Sequence, residues 1–138
     1  MTDFNVLIVD DEKDYIDTLL KRLTKRNLNI KGVESGEKAL SWLKNNPVDV
    51  VLLDVRMAGM DGIQVLRKIK ENYPLVEVIM LTGHASTEVA IEGMEIGAFD
   101  YLMKPVDLDE LLYKLQDANK KKVIQENKIK GMHKIFKE

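Results

Sequence analysis

Five side chains able to do chemistry stand just after apolar runs. Asp54 follows Val50-Val51-Leu52-Leu53, and Asp10 and Asp11 follow Val6-Leu7-Ile8-Val9. Thr82 follows Val78-Ile79-Met80-Leu81, and Lys104 follows Tyr101-Leu102-Met103. Singly, each has an ordinary reading: Asp starts turns, Thr ends strands, and Lys before Pro105 suits a solvated loop. Together they make three carboxylates, a hydroxyl and an ammonium. A carboxylate can attack phosphorus. Asp54 would be the nucleophile, a cation and Lys104 would neutralise the phosphoryl oxygens, and Thr82 would donate a hydrogen bond to one of them. Two carboxylates about 5 Å apart repel by about 3 kcal/mol at an effective dielectric near 20. Lys104 offsets one charge, and the remainder suits Mg²⁺, which takes one or two carboxylates with water and phosphate. The alternative is a Lys104–Asp ion pair with no metal. The segment Asp10-Asp11-Glu12-Lys13 holds no glycine, so it would repel a dinucleotide phosphate rather than cradle it.

The elements that must hold these groups follow from periodicity. Continuous apolar runs predict buried strands over 4–9, 28–33, 48–53, 76–81 and 99–103. Helical spacing of Ile16, Leu19, Leu20 and Leu23 predicts a helix over about 13–26. Ser35 offers an N-cap to a second helix carrying Ala39, Leu40, Trp42 and Leu43. Ile63, Val65, Leu66 and Ile69 mark a third, closed by Tyr73-Pro74. Ser86 is a candidate N-cap for a fourth over about 87–96, with Gly97 at its C-cap. Gly93 within it is either a local weakness or a point of close packing. Asp107 caps a fifth, whose face is Leu108, Leu111, Leu112, Leu115 and Ala118. Strand and helix alternate five times, which predicts an α/β fold: a doubly wound (βα)5 five-stranded parallel sheet with right-handed crossovers. The residues ending strands one, three, four and five then converge at one edge, where open α/β sheets bind ligands.

Composition bounds the function. The chain has 138 residues, 45% hydrophobic and 32% charged, as in an ordinary globular domain. It has no cysteine, so disulfides and thiolate metal sites are excluded. No window reaches the roughly 18 apolar residues of a membrane span, and no signal peptide opens the chain, so a cytoplasmic location without membrane contact is expected. Seven Lys against two Glu give residues 119–138 a net +5; with −2 overall, the first 118 carry −7. An acidic domain is not expected to bind nucleic acid directly.

The combination of Val9-Asp10-Asp11-Glu12, Leu53-Asp54 with Met60-Asp61-Gly62, Leu81-Thr82-Gly83-His84-Ala85 and Tyr101-Leu102-Met103-Lys104-Pro105 resembles the response-regulator receiver domain of bacterial two-component signalling. The resemblance covers about residues 4–118. It implies the flavodoxin-like strand order 2-1-3-4-5. It implies a switch rather than a turnover enzyme: a histidine kinase or phosphotransfer protein would phosphorylate Asp54. Asp10, Asp11, Asp54 and the backbone carbonyl of Arg56 match the Mg²⁺ ligands. Thr82 and Lys104 match the contacts to the phosphoryl group, and Tyr101 the aromatic that turns inward when Thr82 moves. Output would pass through the face of helix four, strand five and helix five, to a partner, a second copy or an output domain absent from this chain. Ala58 stands where the family most often has Pro, which puts loop rigidity in question rather than the chemistry. Arg56 and His84, two residues beyond Asp54 and Thr82, are expected either to modulate water's access or to be solvated loop residues.

Two rival readings belong to other classes. A phosphohydrolase with an aspartyl nucleophile would want a second Asp at position 56, which is Arg. A receiver that binds without phosphorylation would lack one of the five groups, and none is missing. The receiver domain is placed at 1–118. Residues 119–138 are expected to be a basic helical extension or linker that Gly131 interrupts, with a poor heptad fit.

Overall fold

The structure, a computed structural model, describes residues 4–24, 26, 28–56, 61–83 and 87–136. Five strands and five helices alternate: β1 Asn5–Val9, α1 Lys13–Thr24, β2 Asn29–Val33, α2 Gly36–Asn45, β3 Val50–Asp54, α3 Gly62–Asn72, β4 Glu77–Thr82, α4 Thr87–Ile96, β5 Asp100–Met103 and α5 Leu108–Phe136. The strands form one sheet in the order β2-β1-β3-β4-β5, every neighbouring pair parallel.

Side-chain alternation along the central strands builds two cores, one on each face. Leu7, Val9, Val51, Leu53, Val78 and Met80 pack with α2 and α3, and with Val89 and Ile96 of α4. Val6, Ile8, Val50, Leu52, Ile79 and Leu81 pack with α1 and α5. Strands buried on both faces explain why they read as unbroken apolar runs. Among the described residues, no helix is long and apolar enough to cross a membrane.

Helix ends follow their capping chemistry. Ser35 Oγ accepts from Lys38 N at 3.1 Å, and Asp107 Oδ2 from Glu110 N at 3.1 Å. Asp61 and Gln64 close a reciprocal capping box on α3. Ser86 lies outside the described residues. Gly97 has a φ of +124°, as its C-cap role requires.

Strands β3 and β4 each end one residue later than the apolar runs suggest. Sheet pairing extends them, matching Asp54 with Leu81 and Thr82 with Met103. Both reactive residues are therefore the last residues of strands, held by the ladder. At Gly93 a Cβ would come within 2.3 Å of Met80 Sδ and Cε. Close packing of α4 on the sheet accounts for this glycine. α5 runs through Gly131 without a break.

Candidate functional site

Asp10 is the first residue past β1 and is buried. Its Oδ1 accepts from Glu12 N at 2.9 Å, and its Oδ2 accepts from Lys104 Nζ at 2.8 Å. Asp54, buried at the end of β3, accepts from Arg56 N at 3.0 Å through Oδ1, and its Oδ2 lies 3.6 Å from Lys104 Nζ. Lys104 also reaches Glu12 Oε1 at 3.4 Å. One oxygen from each of Asp10, Glu12 and Asp54 falls within 4.8 Å of the others. Lys104 Nζ lies 4.3 Å from the centroid of the Tyr15 ring. The Lys104 N–H donates to the Thr82 carbonyl at 2.8 Å, which ties the loop after β5 to the buried end of β4.

The electrostatics follow from this crowding. Burial pushes Asp54 up, and its N–H bond from Arg56 pulls down. Asp10 adds a rise, Lys104 opposes it, and Asp11 adds a further rise; the outcome is about 6. Burial alone would lower the Lys104 ammonium, but its hydrogen bond to Asp10 and the charges of Asp10, Asp54 and Glu12 leave it raised. Burial likewise raises the Tyr15 phenol, against the pull of Lys104. Three carboxylates thus share one ammonium, in a pocket where an extra negative charge is costly. The donors are hard oxygens with a surplus of negative charge, which fits a divalent cation of the Mg²⁺ class.

The expected residues separate into groups. Asp10, Asp54, Thr82 and Lys104 meet at the carboxyl edge of the sheet. Asp11 is exposed and stands outside the convergent trio, though its charge acts on Asp54. Tyr101 is half-buried against the core that holds α4, opposite Met80 in the ladder. Arg56 is exposed and contributes its backbone N–H to Asp54. His84 and Ala58 lie outside the described residues.

Three contributors were not anticipated from the residues. Glu12 belongs to the acidic trio, and its position two residues past Asp10 was the available signal. Tyr15 supplies the face over Lys104, one turn into α1. Gly62 brings the start of α3 against the Asp54 loop: a Cβ there would lie 2.3 Å from Val55 Cα and 2.8 Å from the Asp54 carbonyl oxygen. Gly62 N donates to Val55 O at 3.1 Å, so the start of α3 is joined backbone to backbone to the residue after Asp54.

Residues 6–116 match the family model described as the response regulator receiver domain. The chain is 40% identical over 114 residues to the transcriptional regulatory protein ZraR of Escherichia coli (strain K12), covering 83% of this chain and 26% of that protein. It is 42% identical over 103 residues to the DNA-binding transcriptional regulator NtrC of Klebsiella pneumoniae, covering 75% of this chain and 22% of that protein. The chain therefore spans about a quarter of the length of these curated relatives. A CheY-like response regulator receiver domain protein from Methanospirillum hungatei JF-1 superimposes with a TM-score of 0.86 at 27% identity, covering 90% of this chain and 99% of that one.

Proposed function

The chain belongs to the response regulator receiver family, and on that footing we propose that it is a phosphorylation-dependent signalling switch with Asp54 as phosphoacceptor. The observation that carries this reading is the convergence of Asp10, Glu12 and Asp54 on Lys104 at the carboxyl edge of the sheet. The donor is the phosphohistidine of a histidine kinase or phosphotransfer protein. An Asp54 oxygen forms a bond to phosphorus as the phosphorus–nitrogen bond breaks, and the imidazole leaves with a proton. Asp10, Asp11, Asp54 and the Arg56 carbonyl hold Mg²⁺, with Glu12 close by. When bound, the ion neutralises charge on the phosphoryl oxygens. Lys104 supplies a second positive charge, and the Thr82 hydroxyl donates to a phosphoryl oxygen. The domain is not a turnover enzyme: its product is the phosphorylated state itself.

Phosphorylation replaces a carboxylate by a group of about −2 charge with three acceptor oxygens. Thr82 immediately precedes the connection to α4, and its backbone is tied to Lys104. Its closure on the phosphoryl group shifts α4 and opens space for Tyr101. Moving such an equilibrium from 1:99 to 99:1 takes roughly 5.5 kcal/mol of differential stabilisation. The face that changes carries exposed Ile91, Met94, Met103 and Tyr113, an apolar set suited to an output domain, a partner protein or a second copy. Arg56 and His84 regulate water's access to the phosphoryl group; equal dephosphorylation rates in Arg56→Ala, His84→Ala and the parent chain would remove that role. The site works in the cytoplasm, and the acidic domain itself does not contact nucleic acid. The relatives' roles in transcription suggest that the output is transcriptional.

The test is incubation with acetyl phosphate and Mg²⁺, followed by intact mass spectrometry. The expected result is a gain of one phosphoryl group that is absent in Asp54→Asn. An unmodified parent chain, or equal modification of Asp54→Asn, would refute the assignment.

A further inference from the structure

Lys104 is fixed at its base, where its backbone N–H donates to the Thr82 carbonyl at 2.8 Å. Its head is a compact charge on a flexible stem, so the contacts of Nζ decide where it rests. Among the described residues, Nζ meets three carboxylates and one ring. Asp10 Oδ2 lies at 2.8 Å, Glu12 Oε1 at 3.4 Å, Asp54 Oδ2 at 3.6 Å and the Tyr15 ring centroid at 4.3 Å. The carboxylates cannot keep that hold through phosphoryl transfer. Asp54 is the group that is phosphorylated, and Asp10 and Asp54 are the buried acids that a divalent cation would share. The Glu12 side chain is 69% exposed, where solvent screens its pairing. The Tyr15 ring differs in kind. Its face attracts an ammonium through the ring quadrupole and presents no oxygen to a hard cation. The ring is also well anchored. Tyr15 stands in the first turn of α1, its N–H donates to the Glu12 carbonyl at 3.1 Å, and it packs on the core shared by α1 and α5. The next residue, Ile16, is buried.

On the footing of the switch reading above, we propose that Tyr15 is a positioning residue for phosphoryl transfer: its ring face keeps the Lys104 ammonium at the pocket while Asp10 and Asp54 give up their hold on it. In the resting chain the shortest bond of the ammonium is to Asp10. As the charge of these carboxylates is taken up, a lysine head with no other contact swings out to water. The ring retains it without using up its hydrogens, so the N–H donors turn from carboxylate to phosphoryl oxygens. Tyr15 touches no reacting atom and acts through Lys104. The effect belongs to the ring face and not to the phenol oxygen, so phenylalanine serves in its place. Leucine keeps an apolar side chain on the core but has no quadrupole, so it preserves packing and loses the retention. That difference separates positioning from packing.

Two measurements on the whole chain test this. The first is the initial rate of phosphorylation by acetyl phosphate with Mg²⁺, followed by intact mass. Tyr15→Leu should be slower by about fivefold, and Tyr15→Phe should stay within about twofold of the parent. Calorimetric Mg²⁺ affinity should not fall in Tyr15→Leu, because its acidic groups are intact. The second is the proton resonance of the Lys104 Cε group in the unphosphorylated chain. Ring current should shift it upfield in the parent and in Tyr15→Phe, with and without Mg²⁺, and the shift should vanish in Tyr15→Leu. A Tyr15→Leu chain as fast as the parent, a Tyr15→Phe chain as slow as Tyr15→Leu, or a parent shift that disappears on adding Mg²⁺ would each overturn the proposal. So would a fall in Mg²⁺ affinity matching the loss of rate, which would mark a packing defect. A parent chain that takes no phosphoryl group would instead refute the switch reading itself, and the proposal with it.

Discussion

The two edges of the sheet carry buried carboxylates under opposite balances. At the amino edge, Glu77 opens β4 with Lys121 at 3.5 Å and Lys70 at 3.9 Å. Asp49 nearby accepts from Asn5 N at 2.7 Å and pairs with Lys122 at 2.9 Å. Each acid there has a cation, and Glu77 has two. At the carboxyl edge, buried Asp10 and Asp54 share Lys104 with each other and with the exposed Glu12. The lesson is that one fold can hold a charge-balanced end and an end with surplus charge, even though among the described residues Glu77 Oε1 is buried with no hydrogen bond of its own. The amino edge is neutralised by its own chain and fastens α3 and α5 to the sheet. The carboxyl edge keeps an acidic surplus that something from outside must neutralise. Burial of a paired charge is structural, whereas burial of surplus like charge marks a site.

The contrast predicts opposite signs for the same kind of change. Glu77→Gln should give the largest loss. It leaves Lys70 and Lys121 without their carboxylate, and Lys70, whose ammonium burial already lowers, keeps only the Pro74 and Val76 carbonyls. Urea unfolding should show about 3 kcal/mol of destabilisation. Asp54→Asn in metal-free buffer should move the other way, by about 3 kcal/mol of stabilisation at neutral pH. The sign follows from linkage. The folded Asp54 carboxyl is raised from 3.8 to about 6. Its contribution is fully present below about pH 4 and is lost as pH rises through 6. Parent and Asp54→Asn should therefore agree in acid, diverge between about pH 4 and 6, and stay apart by a constant amount above that. A parent chain that gains stability over Asp54→Asn across this window would erase the distinction between the edges.

Two smaller effects sharpen it. Asp49→Asn removes one of the two carboxylates that pair with Lys122 but can still accept from Asn5 N, so about 1 kcal/mol should be lost. Lys122 is raised because its bonds to Asp49 and Glu126 outweigh burial, so the difference should fade at strongly alkaline pH, where Lys122 is neutral in both proteins. The exposed Arg67–Glu92 pair at 3.3 Å between α3 and α4 serves as a baseline: Glu92→Gln should change unfolding by less than about 0.5 kcal/mol.

The carboxyl edge was legible in the sequence because each of its groups stands at the end of its own apolar run. A parallel sheet then brings those ends together without further information. Strand ends were legible only to within a residue, since the ladder, not the apolar pattern, takes in Asp54 and Thr82. The amino edge was not legible. Asp49 meets Lys122 across 73 residues of sequence, and neither stands at a motif. The capping box of Asp61 and Gln64 has the three-residue spacing of its motif, but with Asp rather than Ser or Thr at the cap. Gly93 could be read as weakness or as close packing until Met80 was placed beneath it.

Calorimetric titration with Mg²⁺ tests the division of the two edges most directly. The parent chain and Glu77→Gln should bind one ion with matching affinity, and Asp10→Asn should lose at least tenfold. Equal binding by Asp10→Asn, or loss confined to Glu77→Gln, would contradict the assignment of the carboxyl edge as the cation site.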